Sequence, residues 1–153
     1  MKLFPWKKNK EFLTEAEKQQ LLEAIRNAEQ RTSGEVRVFI ESKCKYMDAV
    51  DRAVEIFSEL KMYQTEMRNA TLVYIAVEDH QAAIFGDEGI HQKVGKAYWK
   101  EEIEKMLQHF RVHHLADGIC QAINDLGEVL HQHFPFERDT DKNELPDDIV
   151  FGK

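Results

Sequence analysis

Little in this chain makes loops, staples or membrane anchors. Its 153 residues include seven glycines, three prolines and two cysteines. So few breakers exclude a collagen-like or low-complexity chain. Cys44 and Cys120 form no C-x-x-C pair, which excludes a disulfide-stapled scaffold. One disulfide stays open, but the usage fits a reducing cytosol at least as well, with structural thiols as the default. No apolar run reaches the roughly 18 residues that span a bilayer. The first residues, Met1-Lys2-Leu3-Phe4-Pro5-Trp6-Lys7-Lys8, are broken by proline and lysine before any apolar segment develops. They predict no signal peptide, hence a cytoplasmic protein without membrane insertion. An excess of positive charge is missing too. The net charge of −7 repels phosphate backbones and argues against nucleic acid as a partner. Lys7, Lys8 and Lys10 form a short basic cluster. A solvated arm is the preferred reading, over contact of Phe4 and Trp6 with an anionic membrane surface. No G-x-S-x-G, P-loop, G-x-G-x-x-G or catalytic-cysteine motif occurs, so nucleophilic catalysis and nucleotide binding have no signature. Tyr98 and Trp99 read as packing residues.

What is present is a globular composition, 42% apolar, enough for one domain with its own core. That domain is expected over residues 13–136. An arm over 1–12 precedes it, and an acidic tail over 137–153 follows. The apolar residues Leu145, Ile149, Val150 and Phe151 predict that the tail docks back. Thr14-Glu15-Ala16-Glu17 is a capping box for a first helix carrying Leu21, Leu22, Ile25 and Ala28. It stops near Thr32-Ser33-Gly34. Glu35 to Ser42 alternates as a strand, Val36, Val38 and Ile40 on one face, Arg37 and Glu41 on the other. A helix from about Asp48 buries Val50, Ala53, Val54, Phe57 and Leu60. Thr71 to Val77 has no polar interruption after Thr71, which predicts a central strand covered on both faces. Only Glu78-Asp79-His80-Gln81 separates it from Ala82-Ala83-Ile84-Phe85, so the two must form an antiparallel hairpin. A short helix over 90–94 follows, then helices over 98–110 and 115–133, the last stopped by Pro135. The pattern predicts a three-layer α/β/α sandwich around a small mixed sheet with one antiparallel hairpin.

Three groups of residues could carry chemistry. Gly86-Asp87-Glu88-Gly89 follows a strand and precedes a helix. That places it at the carboxyl end of a sheet strand, the edge where ligands usually bind in open α/β folds. Two adjacent carboxylates in a tight turn repel unless a cation sits between them, and a hard divalent ion suits oxygen ligands. The plain alternative is a turn whose carboxylate caps the next helix. Asp139-Thr140-Asp141-Lys142-Asn143-Glu144 resembles the first half of a calcium loop. It then departs from it, because Glu144 stands where glycine is needed and Val150 where the bidentate Glu should be. A solvated acidic tail is the better reading. The histidines His91, His109, His113, His114, His131 and His133 have no zinc-ligand spacing: no Glu follows His109, and His131 and His133 diverge on a helix.

The segments Ser33–Ile40, Arg68–Asp79 and Ile84–Ile90, with Ala116-Asp117-Gly118-Ile119 in the last helix, resemble the TPM-domain family. The tail Asn143–Ile149 resembles that of a small, stand-alone bacterial subgroup. The resemblance implies an α/β/α sandwich with a cleft at one end of the sheet that holds a divalent ion, calcium first and magnesium second. Carried over, that cleft falls on Asp87 and Glu88, with Asp79, Glu35, Asp141 and Glu144 as further candidate ligands by charge and expected proximity. No other cofactor is implied. A thylakoid luminal relative has acid phosphatase activity. Metal binding therefore ranks first among the expected functions. A protein-interaction module with a partner still to be identified is second, and a metal-dependent acid phosphatase third.

Overall fold

The Thr14–Glu17 capping box closes as its residues require. Glu17 N donates to Thr14 Oγ1 at 3.1 Å, and Thr14 N donates to Glu17 Oε1 at 2.8 Å. It opens helix α1, Glu15–Glu29, which buries Leu21, Ala24, Ile25 and Ala28. This computed structural model describes residues 12–111, 114–136 and 149–152. Strand β1 is Glu35–Glu41, helix α2 Ala49–Glu59, β2 Ala70–Ala76 and β3 Gln81–Gly86. Helices α3 (Glu88–Val94), α4 (Lys96–Arg111) and α5 (Leu115–His133) follow, and β4 is Ile149–Phe151. Thus α4 begins two residues before its expected start. The tail supplies a strand that periodicity does not reveal, because three residues are too few to show a period.

The sheet order is β3-β2-β1-β4. β1 pairs in parallel with both β2 and β4, and β2 pairs antiparallel with β3. The alternation of side chains divides the interior in two. Val36, Val38, Ile40, Val73, Ile75, Ala82 and Ile84 meet α1, α4 and α5 on one face. Phe39, Leu72, Tyr74, Ala76 and Ala83 meet α2 on the other. The chain is thus an α/β/α sandwich around a mixed four-stranded sheet.

One expectation, the buried stripe of α2, needs correction, and β1 is buried on both faces. β1 lies inside the sheet, so Arg37 and Glu41 are buried along with the apolar face. Glu41 is held by Arg52, at 2.9 and 3.0 Å, and by the Tyr74 hydroxyl. On α2 the buried stripe is Ala49, Ala53, Ile56 and Phe57, while Val50 and Val54 are exposed. The stripe is rotated by about one residue, because Asp48 caps the helix and Ala49 starts it.

Between α4 and α5 lies a buried acidic contact. Glu102 is buried and within hydrogen-bonding reach of Asp125. Lys105 Nζ stands 3.2 Å from Glu102 Oε2 and 3.5 Å from Asp125 Oδ2. Glu102 Oε1 has no hydrogen-bond partner among the described residues, and Asp125 Oδ2 has none beyond the Lys105 ammonium at 3.5 Å. Burial first, then Asp125, push the Glu102 carboxyl up to about 7. Unfolded glutamate titrates near about 4.3. The folded chain therefore binds the extra proton. Its stabilising effect is complete below about pH 4.3 and is lost as the pH rises through about 7. Urea unfolding between pH 4.5 and 8 should show this decline in wild type, and Glu102→Gln should flatten it. An unchanged slope in the variant would assign the decline to other groups.

Candidate functional site

The turn Gly86-Asp87-Glu88-Gly89 sits where the hairpin returns. Because β3 runs antiparallel to β2, its carboxyl end lies at the amino end of β1 and β2. The turn thus lies at the carboxyl end of a sheet strand, as expected, but at the amino edge of the parallel pair, opposite the edge where open α/β folds bind ligands. A strand direction cannot be read from the strand itself, only from its connection.

Asp87 is the N-cap of α3, and its Oδ1 accepts from Glu88 N at 2.8 Å. Its backbone N–H donates to Ala70 O at 2.9 Å, which extends the β2–β3 ladder by one pair. The cation demanded by the acidic pair is a side chain. Arg68 donates from Nε to Asp87 Oδ2 at 2.6 Å and from Nη2 to Asp87 Oδ1 at 2.8 Å. This is the bidentate fork that suits a guanidinium and a carboxylate. Arg68 Nη1 reaches Glu88 Oε1 at 3.3 Å. The side chain of Asp87 is 5% exposed, that of Arg68 42% and that of Glu88 63%. The contact thus has a buried root and a wet rim.

Arg68 holds a left-handed backbone, φ 53°. Its carbonyl is fixed by Gly89 N at 2.8 Å. A Cβ on Gly89 would stand 2.1 Å from Met67 O and 2.6 Å from Arg68 O, so only glycine lets α3 dock against this bend. At Gly86 a Cβ would stand 2.4 Å from the Trp99 ring. Its absence lets the indole lie against the strand end, with Nε1 donating to His91 Nδ1 at 2.9 Å.

The other candidate ligands are distributed around this turn unequally. Glu35 is buried and pairs in register with Ala70, the partner of Asp87, so Glu35, Ala70 and Asp87 share one row across the sheet. Asp79 lies at the opposite end of β3, about 20 Å away at the rise of a six-residue strand. There its Oδ2 accepts from Cys44 N at 2.6 Å. The structure does not bring Asp79 and Asp87 together. Asp141 and Glu144 lie outside the described residues. Among the described residues, no three His, Cys, Asp or Glu side chains form a group that could hold a metal ion. The histidines are dispersed: His109 contacts Gln121, His114 contacts Asp117, and His131 contacts Arg31 O. Both cysteines are free, and burial first pushes the Cys120 thiol up to about 11, away from reactivity.

Beside the turn opens a cavity of about 660 Å³. It runs along β3 between α2 and α4. Val50, Phe85, Trp99 and Ile103 give it apolar walls, and Lys96 and Lys100 stand at its rim. Val50 is exposed on α2 because it faces this space.

The sequence profile of the TPM domain matches residues 7–129. A search of the curated proteins finds no match. Among solved structures, the chain is similar to the BA42 protein of the psychrophilic bacterium Bizionia argentinensis. The two are 37% identical with a TM-score of 0.83, over 91% of this chain and 94% of that one. It is also similar to the N-terminal domain of the cg2496 protein from Corynebacterium glutamicum. That match is 14% identical with a TM-score of 0.60, covers 77% and 74% of the two chains, and bears on the fold alone. No described helix is long and apolar enough to cross a membrane. With its Gly86–Gly89 turn, its mixed sheet and a profile match over most of its length, the chain belongs to the TPM-domain family.

Proposed function

We propose that this TPM domain binds a hard divalent cation at Asp87 and Glu88, calcium first and magnesium second, and that Arg68 occupies the cation's place when no ion is bound. The observation that carries this reading is a mismatch of charge. Two adjacent carboxylates share one guanidinium, and that guanidinium is 42% exposed. A dication neutralises both carboxylates where arginine neutralises one, and Arg68 can swing into solvent without unfolding anything. The donors are carboxylate oxygens, which suit calcium and magnesium better than zinc or copper. Two side chains leave most of a calcium shell to carbonyls, water and any oxygens that Asp141 or Glu144 contribute. Such a partial cage belongs in the weak range of calcium sites, with dissociation constants of roughly 10⁻⁴ to 10⁻³ M. Phosphomonoester hydrolysis would require this ion to orient phosphate and activate water. It is therefore a consequence to assay after binding.

Thermal unfolding with calcium, magnesium, zinc or chelator tests the exchange. An ion at a hundred times its dissociation constant adds about 2.7 kcal/mol of native-state stability. Calcium should stabilise wild type, and Asp87→Asn should abolish the shift. Arg68→Asn keeps a residue that tolerates the left-handed backbone and removes the competing cation. It should lower the calcium concentration at the midpoint of the shift. If calcium has the same effect on wild type, Asp87→Asn and Arg68→Asn, the reading is lost.

The docking of α3 gives a separate check. Gly89→Ala presses a methyl onto two backbone carbonyls that cannot move independently. It should cost about 1–3 kcal/mol or more in chemical denaturation. It should also lower the calcium concentration at the midpoint, as Arg68→Asn does, since the Arg68 carbonyl bonded to Gly89 fixes the bend that aims the competing Arg68 at Asp87. Wild-type stability in Gly89→Ala would show that the bend is pliable.

A further inference from the structure

β3 is an edge strand, and its backbone shows which groups face outward. Asp87 N bonds Ala70 O, so Ala70 and Asp87 form a hydrogen-bonded pair. Such pairs alternate along an antiparallel ladder. Leu72–Phe85, Tyr74–Ala83 and Ala76–Gln81 are then the bonded pairs. The N–H and C=O groups of Ala82, Ile84 and Gly86 point away from β2. Among the described residues no strand pairs with them. Ile84 and Gly86 line the cavity beside the turn. Its floor is therefore a row of backbone donors and acceptors.

The walls are spaced for side chains that alternate. On the α2 side stand Val50 and Phe85, whose ring packs edge-on against Phe57 at 4.9 Å. On the α4 side stand Trp99 and Ile103. An extended chain laid along β3 directs successive side chains to the two walls in turn. The charges are sorted as well. Asp87 and Glu88 are engaged by Arg68. Lys96 and Lys100, one helical turn apart, have no carboxylate partner among the described residues, and Glu104 lies one turn further on. At the end near Gly86 the free charge is positive. The cavity's size falls in the range of roughly 300–1,000 Å³ typical of binding clefts. An aliphatic ligand would fill the walls but leave the Ala82, Ile84 and Gly86 backbone groups unpaired, which is unfavourable away from water.

We propose that the groove along β3 receives an extended peptide segment of another protein as a fifth strand. Its alternate apolar residues pack against Val50–Phe85 and Trp99–Ile103, and its carboxylates meet Lys96 and Lys100. This is strand addition, in which main-chain bonds give affinity and the walls give selectivity. It is independent of the cation reading.

The probe is a random decapeptide library displayed on phage, selected against the full chain in chelator. Retained sequences should alternate apolar residues with Asp or Glu. Their affinity should fall about tenfold or more for Lys96→Glu/Lys100→Glu, since like charges then face each other. Both lysines are exposed, so the double variant should keep the wild-type unfolding temperature. Saturating peptide should slow amide exchange at Ala82, Ile84 and Gly86. Methylating alternate peptide nitrogens should abolish binding in one parity and spare it in the other. The proposal is overturned if nothing is enriched, or if peptides bind the charge-reversed variant equally. Tolerance of both methylation parities overturns it too. So does prior protection of those three amides in the free chain, whether by its own residues or by a dimer detected in sedimentation.

Discussion

The four-residue connection between Ala76 and Gln81 determines where the acidic turn lies and what it meets. It is too short to cross a sheet face, so β3 must turn back beside β2. Val77 O accepts from His80 N at 3.3 Å, and His80 takes the left-handed conformation that closes the turn, φ 54°. Once that turn is set, the register is set. Thr71 faces Gly86, Ala70 faces Asp87, and Arg68 comes opposite Gly89. The acidic turn and its arginine lie 19 residues apart in sequence and are neighbours because of this connection.

The same constraint explains why the site is at the unexpected end of the sheet. In a sheet whose strands are all parallel, a strand-to-helix turn marks the ligand-binding edge. Here the returning strand carries its turn to the amino end of β1 and β2. The acidic pair therefore meets Arg68, just before β2, and Asp87 shares the row of Glu35 and Ala70. The opposite end has a buried network of its own, Glu41 with Arg52 and Tyr74, and Asp79 on the backbone of Cys44. Glu41 is enclosed by partners on both sides, which makes that end an anchor for α2 against β1.

Much of this architecture is legible in the sequence, for identifiable reasons. The capping box at Thr14, the unbroken run Leu72–Val77 and the short connection after it each force one local outcome. The sandwich results from adding them. The features that periodicity does not disclose depend on partners far apart in the chain. β4 has three residues and exists because β1 offers an open edge. The burial of Arg37 and Glu41 results from that added strand and from Arg52, and alternation alone cannot reveal either. Arg68 stands within the family-like segment, but nothing local to it indicates a role. Only the hairpin register, continued two residues beyond Ala70, places Arg68 against the carboxylates that need a cation.

The edge position of β3 also has consequences for how the two proposed sites relate. An exposed edge strand invites pairing, and proteins usually blunt it with charge, a bulge or a covering helix. Here α2 and α4 flank the edge, leaving a groove between them in place of a cover. At its Gly86 end that groove meets Asp87, so one strand joins a cation-responsive turn to a row of open backbone groups. Displacing Arg68 from Asp87 would alter charge at the end of the groove without moving β3, because Asp87 stays fixed by its own N–H on Ala70 and by its cap on α3. Any influence of an ion on peptide binding would then be electrostatic, weakening as salt screens it over a Debye length of about 8 Å at physiological ionic strength. A shape change of the sheet would be insensitive to salt. The two mechanisms are thus separated by a physical variable that alters neither the peptide nor the protein.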